Sequence, residues 1–379
     1  MRVGIITESF LPHVNGVTNS VLRILEHLER RGHDAVVLAP TSTGVPPPSS
    51  YAGTPIHAMP SLPTPRYPQV RISLGSSRQM ADCLGEYQAD VVHLASPFLT
   101  GPPALRAANA LGIPVVASYQ TDLAGFVTRY GAAPLARLIW RRLRAIHGRA
   151  QLNLAPSRAA VDQLAQEGIT GVRLWPRGVD SDRFSPGHRS RVLRRRLAPR
   201  GEALVGYVGR LAPEKCVDDL RVLRGLPNVR LVVIGDGPDR GRLERALPGA
   251  AFLGFLGGRE LSRAIATLDV GVHTGPHETF CQSLQEVLAS GVPAVAVGAG
   301  GPLDLVNASR NGWLYPPGDL DVLREMVIDL VGDPAKSRAM GRCARESVRE
   351  RTWESVGDAL LDNYCELTGI PDGQARQVA

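Results

Sequence analysis

The sequence predicts an α/β protein with two parallel-sheet domains, and three observations predict it. Short apolar runs of the kind that become buried parallel strands alternate with segments of helical periodicity. The alternation ends near residue 180 and starts afresh, so the series occurs twice. The length of 379 residues suits two domains of ordinary size better than one core.

In order, the first series of strands reads RVGIIT, DAVVLAP, DVVHLAS, PVVASYQ and QLNLAPS. Between the first two lies NSVLRILEHLERRGH, whose Val21, Leu22, Leu25 and Leu28 fall at helical spacing. The second series reads ALVGYVGR, VRLVVIGDG, AAFLGFL, DVGVHTG and PAVAVGAG. These place one domain at 1–180, a second at 181–351, and a helix with a tail at 352–379. The stretch GVDSDRFSPGHRSRVLRRRLAPRGEA, rich in Gly, Pro and charge, reads as a linker with an exposed first helix. TSTGVPPPSS reads as a surface loop, RTWESVGDALLDNYCELTG as an amphipathic helix, and QARQVA as a frayed end.

Composition narrows the function. Apolar residues make up 44% and charged residues 21%, the balance of a soluble globular protein. No run approaches the roughly 18 apolar residues of a membrane span, and MRVGIITESF reads as a strand, not a cleavable signal. Cys83, Cys216, Cys281, Cys343 and Cys365 are scattered without a CxxC pair, which points to a reducing cytoplasm and away from structural zinc. The net charge of +7 permits anionic partners without choosing between nucleic acid and a membrane surface. Aromatics total only 5% and no recognition motif is present, which disfavours a nucleic-acid binder. Two segments, RLIWRRLRAIHGR and GHRSRVLRRRLAPR, interleave arginine with apolar residues. They read either as solvated helix faces or as surfaces for anionic lipid headgroups. Only Lys215 and Lys336 are lysine, so Lys215 is either a remnant of composition or a place needing a compact ammonium.

Ligands of parallel sheets bind at the carboxyl ends of the strands. After the first strand comes TESFLPHVNGVTNSV, which lacks GxGxxG and so disfavours a nicotinamide enzyme. Asn15-Gly16 there reads as an ordinary turn or as backbone N–H groups seating a phosphate. After the first strand of the second half, VGRLAPEKCVDDL puts Arg210 at a strand end and Lys215 near a helix start. Two cations there oppose the helix macrodipole, and an anion between them removes the conflict. A diphosphate calls for a guanidinium fork, an ammonium and N–H donors. The alternative is surface pairing of Arg210 with Glu214 or Asp218.

The richest stretch is HETFCQSLQEVLASGVP, with Glu278 and Glu286 eight positions apart. Phe280, Leu284, Val287 and Leu288 share one helical face; Glu286 falls nearly opposite, beside Ser283 and Ser290. At ~1.5 Å rise per residue the acids stand about 12 Å apart, near the span from hexose to ribose in a nucleotide sugar. N–H groups near Thr279, Phe280 and Cys281 would face phosphate and sugar. The ordinary alternative makes Glu286 a solvated helix residue.

Taken together, the chain resembles the retaining glycosyltransferases of family 4, with their GT-B fold of two Rossmann-like domains facing each other across a cleft. The likeness runs through the Asn15-Gly16 loop, SYQTDLAGF, LAPS, WPRGVDSDRFSP, GRLAPEK, the VIGDGP turn, HTGPHETFCQSLQEVLASGVP and GAGGPLDLV. YQTD, RGVD and TFCQ make it most similar to GDP-mannose-dependent α-mannosyltransferases that build lipid-linked glycans. The resemblance implies that Arg210 and Lys215 neutralise the diphosphate, with Gly16 approaching it from the first domain. It implies that Glu278 holds sugar hydroxyls, Phe280 and Cys281 lend backbone donors, and Glu286 binds the ribose. Gly235, Gly237 and Phe255 would flank the base. Where many relatives carry a histidine near the reacting sugar this chain has Gln120, so Gln120 and Asp122 are the candidates there, and Cys281 replaces a usual glycine.

The same resemblance implies a nucleotide-sugar donor and a lipid-linked or glycan acceptor; with Arg210, Lys215 and a helix N-terminus on the phosphates, and no Asp-x-Asp motif at a strand end, no metal or other cofactor is required. The chain reads as cytoplasmic and without nucleic-acid partners, and a lipid acceptor would place it peripherally at the inner face of the plasma membrane. Alternatives are a transferase using UDP-glucose or UDP-N-acetylglucosamine on a small molecule, a sugar-nucleotide epimerase, or a basic nucleic-acid-binding protein.

Overall fold

The structure, a computed structural model, describes residues 1–41, 46–63, 71–129, 131 and 134–373. Residues 42–45 of the Pro-rich segment and the whole of QARQVA lie outside them. The chain forms two compact units. Unit 1 holds Met1–Ala124, Pro134–Arg177 and Trp353–Ala379; unit 2 holds Gly178–Thr352 with the short segment Gly125–Ala133.

Unit 1 starts with β1 (Arg2–Thr7), α1 (Gly16–Arg30), β2 (Asp34–Pro40), β3 (Ser50–Tyr51), β4 (Thr54–Met59), β5 (Ser61–Pro63) and β6 (Arg71–Ser73). It continues through α2 (Ser77–Glu86), β7 (Val91–Ala95), α3 (Gly101–Ala110) and β8 (Val115–Ser118). Then come α4 (Leu123–Arg129), which passes into the segment assigned to unit 2, and, back in unit 1, α5 (Pro134–His147), β9 (Leu152–Ala155), α6 (Arg158–Gln166) and β10 (Val172–Leu174). In unit 2 follow α7 (Arg191–Leu197), β11 (Ala203–Val208), β12 (Val229–Ile234), α8 (Arg240–Ala246), β13 (Ala251–Gly254) and α9 (Gly258–Thr267). The unit closes with β14 (Val270–His273), α10 (Gln282–Ala289), β15 (Ala294–Val297), α11 (Pro302–Leu305), β16 (Gly312–Tyr315), α12 (Leu320–Gly332) and α13 (Pro334–Ser347). The last helix, α14 (Trp353–Thr368), belongs to unit 1.

The large sheet of unit 1 runs β10-β9-β8-β7-β1-β2-β4-β3, parallel except for the β3–β4 edge; β5 and β6 pair separately. Unit 2 has an all-parallel sheet in the order β13-β12-β11-β14-β15-β16. In each sheet the strand order reverses beside the first strand of the unit, between β1 and β7 and between β11 and β14. Such switch points open a crevice outside the carboxyl ends of the two strands.

The apolar patterns place the cores. Val21, Ile24, Leu25 and Leu28 of α1 pack with Val356, Leu360, Leu361 and Tyr364 of α14 on one face of the unit 1 sheet. In unit 2, Phe280, Leu284, Val287 and Leu288 are buried together under the sheet, the stripe read from the sequence. The stretch read as a linker behaves differently: Val179, Phe184 and Leu197 enter that same core, and Val179 N–H donates to Arg351 C=O at 2.8 Å. Apolar residues spaced through a polar stretch were enough to anchor it. Among the described residues no helix is long and apolar enough to cross a membrane.

Candidate active site

Two loops meet at the switch point of unit 2. Downstream of β11, Gly209 and Arg210 lead through Leu211 and Ala212 to a 3-10 turn, Pro213–Lys215, ended by Cys216 in the left-handed region (φ 49°). Downstream of β14, residues 274–281 lead into α10. Thr274 Oγ1 donates to Lys215 C=O at 2.7 Å, tying one loop to the other. Glycines make the close packing possible. A Cβ on Gly235 would fall 1.9 Å from Gly209 O, and one on Gly237 2.2 Å from Leu211 O, so the 235–237 turn presses backbone against the Arg210 loop. On the other side, Gly301 N–H donates to Glu278 C=O at 2.7 Å, and a Cβ there would sit 2.1 Å from Phe280 O.

At the centre, Lys215 Nζ donates to Glu278 Oε1 at 2.5 Å. The Lys215 side chain is 23% and that of Glu278 18% accessible, and the β14 loop supplies the counter-charge. Burial alone would raise the Glu278 carboxyl, but Lys215 and then His273 outweigh it and hold it below its ordinary value. Burial opposes the charged Lys215 ammonium, yet Glu278 carries it above its ordinary value. The pair is therefore ionised across a wide pH range.

His273, the last residue of β14, is the group the sequence analysis passed over. Its Nε2 lies 3.6 Å from Glu278 Oε1, and burial lowers its pKa against the opposing pull of Glu278. The available signal was a histidine at the carboxyl end of a strand flanking the switch point. Cys281 Sγ lies 3.4 Å from the His273 ring nitrogens. Burial pushes the Cys281 thiol far up, which leaves it protonated and a poor nucleophile. His273, Glu278 and Cys281 offer three ligand atoms within 4.8 Å of one another, but the ammonium of Lys215 already sits on the same Glu278 oxygen.

Helix α10 begins between the two acids. Cys281, at φ 81°, makes the entry turn and gives no side-chain cap, so the first-turn N–H groups rely on other partners. Phe280 is 4% exposed and anchors the turn from below. Glu286 is half-buried, where a solvated position was the ordinary alternative, and burial raises its carboxyl to about 7 against the pull of Arg183. Arg210 is exposed at the rim, and its carbonyl accepts from Tyr207 O–H at 3.1 Å. Asp218, weighed as its partner, pairs with Arg242 at 2.6 Å instead. Phe255 is 80% exposed. Arg210, Lys215, Glu278, Thr279, Phe280 and Cys281 thus lie on the two loops of one switch point, with Glu286 on the helix that follows. Gly235 and Gly237 buttress them.

The remaining predicted residues lie in unit 1. Asn15 caps α1, its Oδ1 accepting from Val17 N–H at 3.0 Å and Thr18 N–H at 2.9 Å. That side chain thus takes two of the N–H groups read as phosphate donors. Gly16 keeps room beside it, since a Cβ there would meet nothing within 4 Å. Gln120 and Asp122 follow β8; Gln120 is buried, and Asp122 Oδ1 accepts from Tyr119 O–H at 3.3 Å.

Two doubly wound units with cationic and acidic loops at a switch point define a GT-B glycosyltransferase. Residues 14–183 match the family model Glycosyltransferase Family 4, and residues 190–347 match Glycosyl transferases group 1. The GDP-mannose-dependent alpha-mannosyltransferase of Mycobacterium tuberculosis is 46% identical over 99% of this chain and 99% of its own. That of Corynebacterium glutamicum is 44% identical over 98% of this chain and 90% of its own. Among solved structures, sucrose-phosphate synthase from Thermosynechococcus elongatus superposes with a TM-score of 0.82 at 18% identity, covering 98% of this chain and 100% of that one. The chain belongs to glycosyltransferase family 4, together with these alpha-mannosyltransferases.

Proposed function

We propose that this enzyme transfers mannose from GDP-mannose to a lipid-linked or glycan acceptor, with retention of anomeric configuration. The observation that carries the reading is the Lys215–Glu278 pair at the carboxyl ends of β11 and β14. It puts a compact cation and a charged acceptor together where a doubly wound sheet receives its ligand. The near full-length identity to GDP-mannose-dependent enzymes supports the choice of donor.

In this reading Arg210 and Lys215 take the diphosphate, and the charge that develops on it as the sugar leaves is met by groups already in place. Glu278, ionised and oriented by Lys215, accepts hydroxyls of the mannose. Thr279, Phe280 and Cys281 contribute backbone donors at the entry to α10. Glu286 accepts the ribose hydroxyls, and Gly235, Gly237 and Phe255 flank the base. Asn15 and Gly16 approach the phosphate, while Gln120 and Asp122 serve the reacting sugar. Glu278 is committed to sugar hydroxyls, so a front-face route fits better than a covalent intermediate, with a donor phosphate oxygen taking the acceptor proton. The ammonium on Glu278 Oε1 does the electrostatic work of a cation, which supports a reaction without a metal.

Peripheral attachment to anionic membrane is part of the proposal. Helix α5 buries Ile139, Trp140, Leu143 and Ile146 but exposes Leu135 and Leu138 beside Arg137 and Arg141. Apolar anchors ringed by arginine suit a headgroup layer. The second basic segment is partly structural, since Arg189 and Arg194 both grip Asp269.

Titration calorimetry with GDP, UDP and ADP, followed by GDP release from GDP-mannose with and without a lipid acceptor, tests the reading. GDP is expected to bind tightest, and the acceptor to stimulate release. Preference for UDP would overturn the donor assignment, and isomerised sugar nucleotide without release would indicate an epimerase.

A further inference from the structure

The end of β14 and the loop after it bring together three metal-ligating side chains that the proposed chemistry does not use as a set. Cys281 Sγ lies 3.4 Å from both ring nitrogens of His273, and His273 Nε2 lies 3.6 Å from Glu278 Oε1. One ligand atom of each residue falls within 4.8 Å of the other two, and among the described residues no other three His, Cys, Asp or Glu side chains meet so closely. A tetrahedral zinc ion, with bonds of about 2.0–2.3 Å, sets its ligand atoms roughly 3.3–3.6 Å apart. The edges of 3.4 Å and 3.6 Å in the site match that spacing.

The donor set selects the kind of metal. A thiol with an imidazole suits zinc, cadmium or cobalt, whereas magnesium and calcium take oxygen ligands. His273 is 3% and Cys281 4% exposed, but the Glu278 side chain is 18% accessible and leaves an entry on its side. The Lys215 ammonium holds the place, 2.5 Å from Glu278 Oε1. Its flexible stem, on a side chain 23% accessible, allows it to withdraw into solvent. A dication on Glu278 repels the ammonium, so the metal and the Lys215–Glu278 pair exclude each other.

We propose that His273, Glu278 and Cys281 form an inhibitory site for a soft divalent cation of the zinc type, which takes Glu278 from Lys215 and disables the donor site. The ion accepts electron pairs from an imidazole nitrogen, a carboxylate oxygen and the sulfur, and the thiol proton leaves to solvent. A water molecule completes the tetrahedron, and nothing is oxidised or reduced. The site itself stands on unit 2 alone. Its inhibitory effect rests on the reading that Lys215 takes the diphosphate and Glu278 the sugar hydroxyls.

The test uses the full chain. Calorimetry with Zn²⁺ on the donor-free enzyme is expected to give one site, and Co²⁺ a near-ultraviolet thiolate-to-cobalt band; Mg²⁺ should give neither. Cys281→Gly, which the φ of 81° accommodates, and Cys281→Ser should each weaken zinc binding roughly 100-fold, and His273→Gln at least about tenfold. Cys343→Ser, at an exposed thiol, should bind as wild type does. With free zinc set by a metal buffer, GDP release from GDP-mannose to octyl α-mannoside should show a KM for GDP-mannose that rises with zinc at constant kcat. Cys281→Gly, compared with its own zinc-free rate, should lose that sensitivity. No zinc binding by wild type, equal binding by Cys281→Gly, or loss of binding in Cys343→Ser would overturn the site. Zinc bound through Cys281 with no effect on KM would overturn the inhibition and with it the donor roles of Lys215 and Glu278. No release by zinc-free wild type would overturn the proposed function while leaving the metal site standing.

Discussion

Lys215 Nζ stands 2.5 Å from Glu278 Oε1, although 63 residues separate them. Each partner is the other's main counter-charge within a largely buried site. Lys215→Ala therefore removes a phosphate ligand and strands a carboxylate at once. GDP affinity is expected to fall 10- to 100-fold, roughly 1.4–2.8 kcal/mol, and stability by about 2 kcal/mol. Pairing it with Glu278→Gln should return most of the stability and none of the affinity. Calorimetry and urea unfolding measure the two effects separately.

Burial brings the Glu286 carboxyl close to neutrality. Its folded-state pKa, about 7, lies above its ordinary 4.5. Its contribution to stability is therefore full below about pH 4.5 and lost as pH rises through 7, an effect of about 3 kcal/mol. Glu286→Gln should flatten that part of the stability profile. The ionised form is the better acceptor for ribose hydroxyls, so GDP affinity should rise severalfold from pH 6 to 8 in wild type relative to Glu286→Gln. Taking the difference cancels the ionisation of the nucleotide itself.

Cys281 holds a backbone conformation that suits glycine, φ 81° and ψ 70°. Cys281→Gly removes strain of about 1 kcal/mol but also the packing of Sγ on His273, so stability should stay within about 1 kcal/mol of wild type. Activity should persist, because the thiol has no chemical role. Cys281→Val, β-branched, should lose about 2 kcal/mol or more in thermal unfolding.

Gly301 is needed for space, not for its dihedrals. A methyl group 2.1 Å from Phe280 O must push the loop carrying Glu278 and the entry to α10. Gly301→Ala is expected to weaken GDP binding more than tenfold while far-UV circular dichroism stays near wild type.

The exposed face of α5 should hold the enzyme on anionic vesicles. Arg137→Glu with Arg141→Glu should release it, at about 1 kcal/mol for each arginine lost, and salt should do the same. Co-sedimentation with phosphatidylglycerol and phosphatidylcholine vesicles reads the difference.

Much of this protein was legible because its signals are local. The ten apolar runs read as strands all became strands, since a parallel sheet buried on both faces demands continuous apolar sequence. The Phe280, Leu284, Val287 and Leu288 stripe declared its buried face by helical spacing alone. The short edge strands β3, β5, β6, β10 and β16 carried too few residues to show a period, and β4 alternates only weakly. Spacing also determined that Arg210, Lys215, Glu278 and Glu286 stand at strand ends or on the first turns of a helix.

What those residues do to one another was decided by the tertiary structure. Strand order brings β11 beside β14, and only then does Lys215 meet Glu278 and does His273 become a neighbour of both. The same holds for His93 and Tyr364, joined only when the last helix packs on the first sheet. Burial, which raises Glu286 and keeps His93 neutral, is a property of surroundings gathered from distant sequence. Apolar periodicity acts over one or two turns, whereas a carboxylate's charge state depends on every group the fold brings within a few ångströms.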